Sequence, residues 1–366
     1  MFRQYVIWLA ALTVLGTQHA AGEEAPTDTQ WSAVVNRGIG YLSQHGQAAD
    51  GSFSSYTGIG VTALVTAAMI ENGRSSRDPA VAKGLRYLEQ WVRPDGGIHK
   101  PDSLYRNYET SVAVLCFSAV NRDGRYDDTI RRADARLKGM QWDESEDVEV
   151  SNFNYGGAGY GKHERPDLSN TSFLIDALKA CGNGPEDEAI QKALVFVSRC
   201  QNLETEHNTT PHATKVRDGG FYYTCAAGGQ TKAEETADGG LRSYASMTYA
   251  GLKSMLYAGV GPDDPRVVAA TKWIAKHYDL KSNPGLGDMG LYYYYHVFAK
   301  ALEATGVDAF EDADGRMHDW RKELLAELAS RQQADGSWVN ENARWMEGDP
   351  NLVTAYALLA LSYCRP

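Results

Sequence analysis

Residues Asn154–Ala180 read NYGGAGYGKHERPDLSNTSFLIDALKA: a glycine-rich turn, a short polar segment and an amphipathic helix. Pro166-Asp167 stands where the helix begins, and Asp167 suits an N-cap because its carboxylate can accept from unpaired N–H groups of the first turn. Behind it Phe173, Leu174, Ala177 and Leu178 recur at helical spacing. Aligned on Thr171, the chain yields four matching helices, at Thr62, Thr110, Thr248 and Thr354. A further one carries Tyr295 at the threonine position. Eleven residues beyond the anchor come Gly73, Asn121, Gly182, Gly259 and Gly306, residues that tolerate the left-handed conformation that ends a helix.

Each of these helices is preceded by another: Trp31–His45, Ala80–Trp91, Thr129–Met140, Ala189–Cys200, Pro265–His277 and Asp319–Gln333. The anchored helices are apolar on most sides, as in VTALVTAAM and VTAYALLAL, and so are expected to be buried. Their partners are more charged and are expected to face solvent. Spacings of 48, 61, 77, 47 and 59 residues between anchors fit a constant helix with variable inserts, as in stacked hairpins. Six hairpins closed into a ring give an all-α fold, an α/α toroid with six inner and six outer helices.

A turn recurs between outer and inner helix. Gln47, Asp50-Gly51-Ser52-Phe53 and Gln332, Asp335-Gly336-Ser337-Trp338 are its full versions. Asp95-Gly96-Gly97-Ile98 and Asp218-Gly219-Gly220-Phe221 are weaker ones. Asp-Gly makes a tight turn and the aromatic packs back over the helix ends. Gln332, Gly336 and Trp338, with Gln47, Gly51 and Phe53, resemble the Gln-Trp motifs of the terpenoid cyclase and protein prenyltransferase superfamily, the group that carries prenyltransferase and squalene oxidase repeats. The resemblance covers residues 31–364 and implies the squalene cyclase-like toroid.

It also implies two reactions, each carried by a residue pattern. The cyclases protonate a polyene from a D-x-D-D motif at an inner-helix entrance. The matching residues are Asp167, Ser169 and Asn170, so the proton-carrying position holds a hydroxyl, which is too weak an acid for that step. The prenyltransferases hold zinc through Asp-x-Cys and a histidine of the next inner helix. Here Arg242 and Tyr244 replace the first two, leaving His296 alone, and no metal or other cofactor is expected. His207, His212 and Cys225 match no metal-binding spacing, and Asp312-Ala-Asp314-Gly315 reads as a polar loop.

Residues at the inner-helix entrances should line one mouth of the ring. The candidates for acid–base work are Asp167, Asp288 and His296. Asp167 and Asp288 also suit helix caps. Arg106 and Arg242 fit a carboxylate or phosphate, and Tyr108, Tyr244, Tyr292 and Tyr295 fit a cation or a sugar face. Four successive tyrosines, Tyr292–Tyr295, point all round their helix, so one or two can face the bore. His163 and Glu164 stand over the third entrance.

Residues 1–22 read as a cleavable signal peptide: Arg3, an apolar Tyr5–Leu15, then Ala20-Ala21-Gly22. Residues 23–366 then form one toroid domain of an exported protein, with no transmembrane segment. A net charge of −11 and the lack of a basic cluster argue against nucleic acid as a partner. Five cysteines with irregular spacing give no disulfide framework, although Cys181 and Cys200 lie on successive helices and could pair. Three functions fit these features. One is a toroid that takes an isoprenoid or other apolar small molecule. Another is a carbohydrate-active α/α barrel using two entrance carboxylates such as Asp167 and Asp288. The third is a non-catalytic interaction toroid.

Overall fold

The computed structural model describes residues 28–161 and 164–366. The signal segment and His163 lie outside the described residues. Among the described residues twelve α-helices follow in order: α1 Asp28–Tyr41, α2 Gly60–Glu71, α3 Pro79–Glu89, α4 Arg106–Val120, α5 Asp127–Lys138, α6 Leu168–Ala180, α7 Glu188–Arg199, α8 Ala245–Tyr257, α9 Pro265–Lys276, α10 Leu291–Thr305, α11 Trp320–Arg331 and α12 Pro350–Ser362. A two-stranded hairpin, β1 Phe310–Glu311 and β2 Met317–His318, separates α10 from α11. Its turn is the Asp312–Gly315 loop, where Asp312 accepts from the Arg316 N–H and bonds His318 Nε2 at 3.0 Å.

The even-numbered helices form the inner ring. Each packs against the next, and α12 packs against α2 to close the circle. Asn72 at the end of α2 donates to the Leu358 carbonyl of α12 at 2.8 Å across that seam. The ring helices are buried nearly all round, α2 from Gly60 to Met69 without interruption. The outer helices are amphipathic, and α3, α5, α7 and α9 pack on the inner helix that precedes them. Outer helices also touch the inner helix that follows them, α5 on α6, α7 on α8 and α11 on α12, as the expected outer-then-inner hairpins require. α1 has no inner helix before it and packs on α12. Trp31 Nε1 donates to the Leu361 carbonyl at 2.8 Å to hold it there.

The threonine anchors have one physical purpose. Thr62, Thr110, Thr171, Thr248 and Thr354 each accept a backbone N–H from the end of the preceding turn, that of Phe53, Ile98, Ala158, Phe221 and Trp338 respectively, at 2.9–3.1 Å. A side chain thus satisfies a buried amide that no helix or strand could reach. Tyr295 replaces this in the remaining unit by donating to the Leu280 carbonyl at 2.7 Å. The turn glutamines reach the other way. Gln47, Gln141, Gln201 and Gln332 donate to the turn glycine's carbonyl and to a carbonyl in the first turns of the next outer helix. For Gln332 that helix is α1, so the same stitch closes the ring. The turn glycine sits at positive φ against that helix, and a Cβ on Gly156 would stand 1.7 Å from the Lys192 carbonyl oxygen.

Among the described residues no helix is long and apolar enough to cross a membrane. All five cysteines are free. Cys181 approaches the Ile130 carbonyl, whereas Cys200 lies beside Cys225, so the neighbour of Cys200 comes from the long loop before α8 and not from α6.

Candidate functional site

At the entrance end the acidic side chains are tied to helix N-termini. Asp167 caps α6: Oδ1 accepts the Asn170 backbone N–H at 2.9 Å and Oδ2 accepts Asn170 Nδ2 at 2.7 Å. It is 1 % exposed, and burial raises its pKa against the opposing hydrogen bonds from Asn170 and the Tyr223 hydroxyl. Glu109 accepts from the Ile59 N–H at the head of α2, and Glu347 accepts from the Tyr292 and Tyr293 N–H groups at the head of α10. Both are buried with raised pKa values for the same desolvation reason. Asp349 caps α12 and takes the Tyr56 hydroxyl at 2.6 Å. Asp288 is different. Its side chain is exposed, and its backbone carbonyl accepts from Asn340. Asp288 does not cap α10, because Glu347 has taken that place.

Arg106 donates to the Ser103 carbonyl at 2.9 Å and Arg242 is exposed. The cations that gather near Asp167 are Arg165 and Lys232, both over the Tyr223 ring, Lys232 Nζ at 4.1 Å from its centroid. Tyr244, the N-cap residue of α8, is 2 % exposed and burial drives its hydroxyl well above its ordinary pKa. Glu164 is exposed.

Contacts between inner helices that are not neighbours in the ring have to cross its bore. Phe173 of α6 does so by meeting Tyr293 of α10 (6.2 Å), and rings on neighbouring helices extend that contact at either end: Tyr108 of α4 to Phe173 (5.3 Å), Tyr293 to Tyr356 of α12 (5.9 Å) and Tyr356 to His296 (5.8 Å). Tyr108 also bonds Tyr356, and burial pushes its hydroxyl up to about 12. Ser169, at the position of the cyclase acid, is hydrogen-bonded to the Tyr293 hydroxyl at 2.9 Å. Of the four-tyrosine run, only Tyr293 reaches into the bore. Tyr292 and Tyr295, expected as ligand contacts, lie edge to face at 5.6 Å on the side near Arg331 and Glu327 of α11. Tyr294 bonds the Asp279 carbonyl at 2.6 Å.

Below the aromatic chain the bore becomes ionic. Asp176 of α6 accepts from Lys253 of α8 at 2.6 Å and from Lys300 of α10 at 2.7 Å. Burial works against all three charges. Asp176 is nonetheless lowered by the two lysines and Lys300 raised by Asp176, while Lys253 falls to about 8. His296 stands one turn from Lys300, and burial with the two lysine charges lowers it to about 3, so its imidazole is neutral. A cavity of about 230 Å³ opens from this layer toward the C-terminal ends of the inner helices. Its walls include Leu64, Val112, Leu115 and Leu359, with His296 and Lys300 on one side. This cavity lies at the end of the ring opposite the helix entrances.

The ionic layer was missed in the sequence, yet a signal exists. Asp176, Lys253 and Lys300 each stand five positions beyond the anchors Thr171, Thr248 and Tyr295. The same position holds Ala67, Leu115 and Leu359 in α2, α4 and α12. One layer of the ring is therefore half charged and half apolar. No three His, Cys, Asp or Glu side chains converge as metal ligands among the described residues. His212 instead packs edge-on against Tyr222 at 6.1 Å and His207 lies exposed beside Glu206.

No family model matches the chain, and no curated relative does. Solved structures do. An arginine variant of the type II terpene cyclase MstE from Scytonema, in complex with its substrate geranylgeranyl dihydroxybenzoate, superposes with a TM-score of 0.58 at 13 % identity, over 93 % of this chain and 98 % of that one. The apo form of MstE gives 0.55 at 15 %, over 92 % and 98 %. A D-mannose isomerase gives 0.59 at 12 %, over 92 % and 97 %. The chain has the α/α-toroid fold of the terpenoid cyclases, a fold that also carries sugar chemistry.

Proposed function

We propose that this chain is an exported toroid that binds an isoprenoid or other apolar small molecule in its bore and does not cyclise it by protonation. The observation that carries this reading is the chain of rings Tyr108–Phe173–Tyr293–Tyr356 across the bore, continuous through His296 with a cavity walled by Leu64, Val112, Leu115 and Leu359. Aromatic and branched aliphatic walls suit an apolar ligand, and the polar groups beside them, among them His296 and Lys300, can fix its orientation. Acid-initiated cyclisation lacks its acid. Asp167 is occupied as a helix cap, and Ser169, already bonded to Tyr293, is a hydroxyl. Export rests on Arg3, the apolar Tyr5–Leu15 and the small residues Ala20-Ala21-Gly22.

Native mass spectrometry of the purified chain, followed by solvent extraction and lipid analysis, tests the reading. The expected result is a co-purifying apolar molecule that is lost when Ala67→Phe fills the cavity. A chain that binds no prenyl alcohol or acid in titration, and carries no lipid from its source, would overturn it. A polyprenyl substrate returned as a ring would overturn the non-cyclising part.

A further inference from the structure

The ionic layer holds hydrogen-bond donors without acceptors. An ammonium group has three N–H donors. Lys253 and Lys300 each give one to Asp176. The remaining contact of Lys253 is the face of the Tyr257 ring at 5.8 Å. Lys253 is 1 % exposed, while Lys300 shows 12 % of its side chain and lines the cavity. Two cations on one carboxylate leave one positive charge in excess inside the ring. Glu71 stands on the cavity's rim but is exposed, where water screens it. His296 lines the same cavity at 5 % exposure, and its Nδ1 meets no partner. A buried excess charge and an orphaned imidazole nitrogen are costly unless a counter-charge or acceptor completes them.

The opposite wall carries the apolar side chains, with Ser118 and Ser362 beside them. Leu64, Val112, Leu115 and Leu359 come from α2, α4 and α12, the half of the ring whose layer carries no charge. Resting on the reading of the bore as an apolar-ligand site, we propose that the ligand is an anionic amphiphile, its carboxylate seated on Lys300 and His296 and its chain laid against the leucines and Val112. The cavity's roughly 230 Å³ equals the share of about eight liquid waters, taking ~30 Å³ for each, which is room for a short chain with its head. Lys300 is the ligand-facing lysine. Lys253 holds Asp176 from behind and keeps that carboxylate from competing for the ligand's place.

The test uses geranate and geraniol, which share one isoprenoid skeleton and differ in the charged head. Titration calorimetry on the mature chain at neutral pH should show geranate binding about tenfold tighter or more, the preference expected of a charge-assisted hydrogen bond. Lys300→Met leaves the Asp176–Lys253 pair intact and should erase the preference while geraniol binding persists. Ala67→Phe, which fills the cavity without touching a charge, should abolish both. If the two probes bind equally to the wild type, or the preference survives in Lys300→Met, the anionic head is wrong and the apolar site stands. If neither probe binds, the apolar reading falls and this inference with it. Should Lys300→Met fail to fold, the wild-type ratio of geranate to geraniol decides by itself.

Discussion

Asp167 commits both carboxylate oxygens to Asn170, one to its backbone N–H at 2.9 Å and one to its side-chain amide at 2.7 Å. A carboxyl group used in this way is a cap and not a free acid. Asp167→Ala should therefore act on stability. Loss of the cap costs about 1 kcal/mol, and the buried Asn170 amide and Tyr223 hydroxyl, left without their acceptor, add roughly 1–3 kcal/mol. Asp167→Asn should cost much less. Its amide oxygen can still cap, and Asn170, whose own side-chain oxygen has no partner, can turn that oxygen to the new NH₂. Urea unfolding of the two variants checks the order. Any apolar ligand should remain bound to Asp167→Asn.

The five threonine hydroxyls make a second expectation. Thr171 and Thr248 are fully buried, and each accepts a turn N–H while donating to the carbonyl four residues earlier. Thr171→Val or Thr248→Val keeps the shape of the side chain but strands the N–H of Ala158 or Phe221. The cost should be about 1–3 kcal/mol in chemical denaturation. Thr→Ser at the same positions keeps the bond and should lose less. Equal losses for valine and serine would show that packing, and not the hydrogen bond, fixes the anchor.

These anchors are why the toroid could be read from the sequence. A threonine that must meet a turn N–H, and a glycine that must sit against the next outer helix, recur because each unit solves the same local problem. The way a helix is rolled toward the bore is not local. Tyr292–Tyr295 offer a ring in every direction, and only their register with Tyr108, two before the anchor as Tyr293 is, points to the one that faces inward. Lys253 and Lys300 carry no signal when each is considered on its own helix. Their partner Asp176 lies on a third, and only the shared position five beyond the anchor joins them. The entrance end stands out in the sequence more than the cavity end does. Long loops with polar residues mark it in the sequence, but their acids are used up on helix caps.

The turn glycines divide into two kinds, which substitution should separate. Gly156 has φ +77° and its Cβ would stand 1.7 Å from the Lys192 carbonyl oxygen, which is backbone and cannot step aside. Gly73 has φ +88° with nothing within 4 Å of the added atom. Gly73→Ala should cost only the left-handed strain, roughly 1–2 kcal/mol. Gly156→Ala adds the displacement of α7 and should cost about 3 kcal/mol or more, or prevent folding. Thermal melts of the pair settle it, and similar melting temperatures would mean that α7 yields easily.

His296 gives the chain a dependence on acid that can be isolated. Burial and the charges of Lys300 and Lys253 hold its folded pKa at about 3, whereas an unfolded histidine titrates near 6.5. Between those values the unfolded chain binds a proton that the folded chain refuses, so stability falls as pH drops below about 6.5. The slope approaches ~1.4 kcal/mol per pH unit and continues toward pH 3. Asp167, Glu109 and Glu347 have raised folded pKa values and act with the opposite sign, keeping protons that the unfolded chain has lost. The wild-type curve alone would mix these contributions. His296→Phe keeps a ring beside Tyr356 and removes only the imidazole's share. The difference in unfolding free energy between the two proteins, measured from pH 7 to pH 5, should therefore shift in favour of the variant as the pH falls. A difference that stays flat across that range would mean that His296 is protonated in the folded ring, with its Nδ1 supplied by an acceptor in the cavity.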